Sequence, residues 1–257
     1  MIQMTDHGRG KPLLLVHGLG SSGHAWKPVL PPLAEARRVM VIDLPGHGAS
    51  PAEADSGTFA GLLRSVIQWL ESTGMTGVDM VGSSMGARLV LELARRGLAG
   101  NVVSLDPGGF WKGWERNFLV STLTVSRALV RTVRPALPTL AANKVSRSAL
   151  LAQLSAQPWA LDGAFVAEEL RALADTQTVP SLIGDLGYGA GQAGTAETGK
   201  RLAIGWGRHD RLCLPVQAKR AIERFPSARL HWFEQSGHFP LWDEPRETVT
   251  LIADVCG

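Results

Sequence analysis

The sequence predicts an α/β fold: a mostly parallel, doubly wound sheet with an inserted set of helices. Three observations predict it. Short, wholly apolar runs recur along the chain and stop at glycine or a polar residue, as strands covered on both faces do. Helical patterns lie between most of these runs. One long stretch, residues 110–190, carries helical patterns and no strand-like run.

The elements follow in order. The first apolar run is residues 13–16, ending at His17-Gly18, and the second is 39–42, ending at Asp43. A third, 78–81, ends at Gly82, and a fourth, 102–105, ends at Asp106-Pro107-Gly108. The fifth, 202–204, ends at Gly205 and Gly207, and the sixth is 230–233. Helical periodicity is expected over 59–70, 87–96, 216–225 and 248–255. Pro135, Pro138, Pro158 and Pro180 punctuate the insertion, and the glycines at 184, 187, 189, 191, 194 and 199 read as a flexible return to the sheet. The expected division is a core of residues 1–109 and 191–257 with a helical cap of 110–190.

Composition narrows the function classes. A chain of 257 residues, 45% hydrophobic, with 29 Gly and 15 Pro, is ordered and turn-rich, and long enough to bury a core without staples. Its 26 basic and 23 acidic residues leave a formal charge of +3, too mild an excess for a nucleic-acid binder. Cys213 and Cys256 form no C-x-x-C pair, so neither a structural zinc site nor another metal is expected. The segment 1–10 lacks the apolar core of a signal peptide, and no run approaches the ~18 apolar residues of a membrane span. The expectation is a soluble, cytoplasmic protein with no stable membrane insertion. Oligomeric state is not read from the sequence.

Open α/β sheets bind ligands at the carboxyl ends of their strands, where this chain concentrates its glycine and polar residues. Gly82-Ser83-Ser84-Met85-Gly86 has the form G-x-S-x-G, follows an apolar run and opens a helical one. A sharp strand-turn-helix exposes the central hydroxyl, and small flanking residues let the backbones close up. The plainer reading is a glycine-rich turn that holds a phosphate or nothing. Ser84 as a nucleophile needs a base. Of the seven His, His238 in Ser236-Gly237-His238-Phe239-Pro240 follows the sixth run and suits that role best. His17 and His24 flank a glycine-rich loop, His47 reads as a turn residue, His209 adjoins Asp210, His7 is in the polar N-terminal segment, and His231 is in a strand run. An acid must fix the imidazole tautomer. Asp210 follows the fifth run, and Asp106, after the fourth, is its rival. Backbone N–H groups of Met85 and of Leu19, in His17-Gly18-Leu19-Gly20, are the expected oxyanion donors. Trp26, Trp111 and Trp242 are candidate pocket residues, although core packing explains any single Trp as well.

Taken together, residues 15–20, 43–50, 82–86, 207–210 and 237–240 resemble the α/β-hydrolase superfamily over residues 11–255. The resemblance implies an eight-stranded sheet, a helical cap over the site, and a triad of Ser84, Asp210 and His238 working without a cofactor. Only about ten residues precede the first apolar run, so the usual N-terminal hairpin is expected to be reduced or missing. A Ser at position 84, rather than an Asp, implies acyl-enzyme chemistry on a small-molecule carboxylic ester. A thioesterase, an enol-lactone hydrolase, a C–C bond hydrolase or a perhydrolase would use the same triad, and a non-catalytic binding protein could keep it. Within 110–150, Lys112, Arg116, Arg127, Arg131, Arg134, Lys144 and Arg147 stand against Glu115 alone. This is either a solvated helix face or a surface that attracts anions.

Overall fold

A computed structural model describes residues 1–195 and 199–257. The strands are β1 (Gln3–His7), β2 (Pro12–Val16), β3 (Arg38–Asp43), β4 (Asp79–Ser83), β5 (Val102–Leu105), β6 (Leu202–Gly207) and β7 (Arg229–Phe233). They form one sheet in the order β1-β3-β2-β4-β5-β6-β7. β1 runs antiparallel to β3, with Gln3 opposite Asp43; every other pair is parallel. The sheet has seven strands among the described residues, not eight. A single edge strand, β1, takes the place of the hairpin. It is exposed along most of its length, so it carries no apolar run that could have announced it.

Alternation along the strands feeds two cores. Leu14, Val16, Met40, Ile42 and Met80 face one side, where α2 (Phe59–Ser72), α3 (Met85–Arg95) and α9 (Val216–Arg224) cover them. Leu13, Leu15, Val39, Val41 and Val81 face the other, beneath α1 (Leu30–Ala36) and α11 (Pro245–Cys256). Full burial of each such side chain is worth about 1.5–3 kcal/mol. The α2 helix shows how a covering helix is specified. Thr58 Oγ1 accepts the Gly61 N–H at 3.0 Å as an N-cap, and Leu62, Leu63, Val66 and Leu70 fall on one buried face.

Between β5 and β6 lie α4 (Glu115–Thr132), α5 (Leu137–Ala142), α6 (Lys144–Leu150), α7 (Gly163–Asp175) and α8 (Val179–Tyr188). The short α10 (Pro240–Asp243) follows β7. α8 runs through Gly184 and Gly187, which the sequence assigned to a flexible return. Gly187 lies within this helix, and because a Cβ there would overlap Val120 of α4, its bare backbone lets the two helices approach. Residues 196–198 of that return lie outside the described residues. The basic face also reads differently in three dimensions. Arg127 turns inward and donates to the carbonyls of Leu173, Ala174 and Thr176, satisfying the end of α7. Arg147 likewise donates to the carbonyls of Ala141, Pro158 and Trp159. Arg134 pairs with Asp175. These cations hold the inserted helices to one another. Cys213 and Cys256 are buried free thiols, and no helix among the described residues is long and apolar enough to cross a membrane.

Candidate active site

Ser84 sits between the last residue of β4 and the first of α3 with φ 55° and ψ −114°. A non-glycine residue there stores about 1–3 kcal/mol of strain, held by the surrounding structure. Two contacts explain the flanking glycines. A Cβ at Gly82 would overlap the Gly86 carbonyl, and one at Gly86 would overlap the carbonyls of Val16 and His17. The elbow is therefore pressed onto itself and onto the end of β2.

His238 Nε2 lies 2.8 Å from Ser84 Oγ, and His238 Nδ1 lies 2.8 Å from Asp210 Oδ2. A carboxylate only accepts, so Nδ1 carries the proton and Nε2 is left to accept from the Ser84 hydroxyl. Asp210 Oδ1 accepts the N–H groups of Leu212 at 2.7 Å and Cys213 at 3.0 Å. The side chains of His238 and Asp210 are 0% exposed, which strengthens their mutual interaction. The loop carrying His238 is tied to the inserted helices. The His238 N–H donates to the Leu154 carbonyl at 2.9 Å. Asp243 accepts from Ser155 Oγ and from the N–H groups of Ala156 and Gly237. Sequence reasoning missed Asp243. Its only signal was an acidic residue five positions beyond the histidine.

Asp106, the rival acid, makes no hydrogen bond to His238. Its backbone is left-handed, with φ 46°, and its Oδ1 accepts the Gly207 N–H at 2.9 Å. Burial, and then the neighbouring Asp210 carboxylate, push Asp106 well above the usual carboxylate range. Two adjacent buried carboxylates cannot both ionise. The ionised form of Asp106 is therefore disfavoured, and its Oδ2 has no hydrogen-bond partner among the described residues.

The loop after β2 is fixed by His17. Its Nε2 accepts the Leu44 N–H at 2.9 Å, and its Nδ1–H donates to the Gly18 carbonyl at 2.7 Å. That arrangement needs a neutral ring, and burial holds the His17 pKa low. Burial and then the neighbouring His17 lower the pKa of His47 to about 3. Sequence reasoning gave His17 no role, yet it sets the loop that brings Gly18 against Ser84. Leu19 and Met85 both line the cavity that holds Ser84. As the first residue of α3, Met85 has a backbone N–H with no partner inside the helix.

The model of the "Alpha/beta hydrolase family" matches residues 13–251. The chain belongs to the alpha/beta hydrolase family. It is 31% identical over 257 aligned residues to the dihydrolipoyllysine-residue acetyltransferase component of the acetoin cleaving system of Cupriavidus necator. That match covers 95% of this chain and 63% of the relative, so the chain spans under two thirds of that protein's length. A pimeloyl-[acyl-carrier protein] methyl ester esterase of Methylococcus capsulatus is 40% identical over 121 residues, 42% of this chain and 44% of that one. Among solved structures, an esterase from Exiguobacterium antarcticum superposes with a TM-score of 0.77 at 17% identity, covering 100% of this chain and 96% of that one.

In this alpha/beta hydrolase the cavity over Ser84 is walled mainly by Leu119, Leu123, Leu170, Leu173, Leu186 and Trp111. Trp242 also lines it, and its Nε1 donates to the Ala25 carbonyl at 3.1 Å. Trp26 does not line it. Its side chain is wholly buried in the core beneath α1, where Ala25, Val29 and Leu33 surround it. Its position after a glycine-rich loop made it resemble a pocket residue, but the short helical turn Gly23–Trp26 directs it into the core. Asp210, Cys213 and His238 bring potential metal-ligand atoms within 4.8 Å of one another. They do not suit a metal. The carboxylate and imidazole are committed to the hydrogen bonds above, and burial pushes the Cys213 thiol well above its usual value, away from the thiolate that metals bind.

One polar link joins the loop after β2 to α7. His24 Nδ1 lies 2.8 Å from Glu169 Oε1, its Nε2 lies 3.1 Å from Glu168 Oε2, and Ser21 Oγ donates to Glu169 Oε2 at 2.7 Å. The Glu169 hydrogen bond raises the His24 pKa above its ordinary 6.5, against a lowering by burial. A raised folded pKa gives stability that is full below 6.5 and lost as pH rises through the folded value. His24→Gln is therefore expected to cost about 1 kcal/mol, or roughly 2–4 °C in Tm, at pH 6 and less at pH 9. Thermal melts of both proteins at the two pH values check it. An equal loss at both would remove the charge from the account.

Proposed function

We propose that the protein is a serine hydrolase of carboxylic esters. The observation that carries this reading is the unbroken hydrogen-bond chain from Ser84 through His238 to Asp210 at the base of an apolar cavity. Ser84 Oγ attacks the ester carbonyl while His238 Nε2 takes its proton. Asp210 holds the tautomer and stabilises the imidazolium. The N–H groups of Leu19 and Met85 receive the developing oxyanion, each such donor typically contributing 10²–10³ in rate. His238 then protonates the departing alcohol. Water, deprotonated by the same imidazole, releases the acid and restores Ser84.

The scheme requires no metal or organic cofactor, and its partner is a small-molecule ester. Residues 110–190 act as a cap over a core of 1–109 and 191–257, and the leucine-rich wall they supply favours an acyl chain over a polar one. The similarity to a pimeloyl-[acyl-carrier protein] methyl ester esterase supports the same chemistry. The test is labelling with a fluorophosphonate probe beside turnover of p-nitrophenyl acetate and butyrate. The expected result is one labelled peptide containing Ser84, and hydrolysis that stops in proportion to labelling. Labelling elsewhere, or label without loss of turnover, would sink the reading. Labelling at Ser84 with no ester turned over would favour a binding protein.

A further inference from the structure

Glu169 of α7 lines the cavity over Ser84, and its side chain is 5% exposed. Both of its oxygens hold the loop after β2. Oε2 accepts from Ser21 Oγ at 2.7 Å, and Oε1 lies 2.8 Å from His24 Nδ1. A second contact from the same face of α7 acts on the same loop. Leu173, one turn after Glu169, lies so near Gly20 that a Cβ at Gly20 would overlap its Cδ1. Gly20 takes φ 67°, which glycine adopts without a Cβ penalty. On its other side the loop meets the elbow, where a Cβ at Gly18 would come 3.1 Å from Ser84 Cβ. Residues 18–21 are thus clamped between Ser84 and α7. The helix is itself held in place. Asp162 accepts the Phe165 N–H at its start, and Arg127 of α4 donates to the carbonyls of Leu173 and Ala174 near its end.

We infer that Glu169 is a positioning residue for the oxyanion donor: through Ser21 it fixes the loop so that the Leu19 N–H meets the charge that develops on the substrate. The inference rests on the proposed esterase chemistry, which gives Leu19 that role. Leu19 stands between Gly18 and Gly20, so its own stretch of backbone constrains it little. A donor stabilises a transition state well only when it is set before the reaction, with no reorganisation left to pay. His17 fixes the start of the loop through Gly18 and Leu44, and Glu169 fixes its end through Ser21.

Glu169→Ala, shown to be folded by its melt, is expected to lower kcat for p-nitrophenyl butyrate about 10- to 100-fold, part of what one oxyanion donor contributes. KM should stay within about threefold, the mark of an interaction made in the transition state. Ser21→Ala should lose less, and Glu169→Gln, which keeps an acceptor for Ser21 Oγ, should recover most of the rate. A trifluoromethyl ketone with a butyl chain reads the donor directly. Ser84 Oγ adds to its carbonyl carbon, the hydroxyl proton passes to His238, and the former carbonyl oxygen carries the negative charge. Its inhibition constant should rise about 10- to 100-fold in Glu169→Ala, while that of 1-hexanol, which forms no anion, stays within about twofold. A merely structural role would weaken both alike. Wild-type kcat in folded Glu169→Ala, or equal weakening of the ketone and the alcohol, would overturn the inference alone. A wild-type protein with neither ester turnover nor ketone inhibition would remove the esterase reading and the inference with it.

Discussion

Ser84→Ala is expected to lower kcat/KM toward p-nitrophenyl butyrate by about 10⁶-fold, and His238→Ala by a similar factor. The two losses should not add. The hydroxyl and the imidazole lie 2.8 Å apart, and in the proposed mechanism they act as one proton-transfer unit that loses its function when either member is removed. Asp210→Asn is expected to cost less, about 10⁴-fold. An amide in that place can donate to Nδ1, turning the ring so that Nε2 carries the proton and no longer accepts from Ser84. Asp106 is not placed to take over, because its Oδ1 is held on the Gly207 N–H and burial disfavours its ionised form. Kinetics on proteins of matched concentration, each shown to be folded by its melt, check the series. Fully additive losses in the Ser84→Ala, His238→Ala double variant would mean that the two residues act separately.

The parts of the site legible in the sequence were those that strand ends impose. An apolar run followed by Gly82-Ser83-Ser84-Met85-Gly86 reads as an elbow because neither glycine has room for a Cβ. The chain order places Asp210 and His238 after the fifth and sixth apolar runs, and parallel pairing of β5, β6 and β7 brings those strand ends to one edge. What stayed hidden depends on partners distant in sequence. The polar edge strand β1 draws its hydrogen bonds from β3 and buries little. Arg127 and Arg147 look like solvated charges until their carbonyl partners fold over them. Asp243 means nothing in the sequence until Ser155, Ala156 and Gly237 converge on it. Trp26 was ambiguous because an aromatic after a loop can face either way, and only the turn at Gly23–Trp26 decides.

Asp79→Ala is expected to lower stability by about 3 kcal/mol, roughly 6–12 °C in Tm, while leaving kcat/KM within twofold at 25 °C. Asp79 is buried at the start of β4. Its Oδ2 accepts from Arg37 at 3.0 Å and pairs with Lys11 at 2.8 Å, and its Oδ1 accepts the Asn101 N–H at 2.8 Å. Arg37 in turn donates to the carbonyls of Lys11, Pro12 and Cys256. One carboxylate thus joins the beginnings of β2, β4 and β5 to the end of α11. Removing it strands a buried guanidinium, whereas the half-exposed Lys11 contributes little. Burial raises the Asp79 pKa, but Lys11, the Asn101 N–H and Arg37 outweigh it and leave a net lowering. A depressed carboxylate stabilises the fold above its ordinary value of 3.8 and loses that contribution as pH falls through the folded value. The gap between wild type and variant should therefore be constant from pH 5 to neutrality and close in stronger acid. Denaturant unfolding across that range checks it, and a gap that persisted at low pH would mean the loss is packing rather than charge. Activity is spared because β4 separates the two tasks. Asp79 opens the strand and Ser83 closes it, about 13 Å away at 3.3 Å per residue, so the charge cluster anchors the amino end of this central strand while the elbow carries its strain at the carboxyl end.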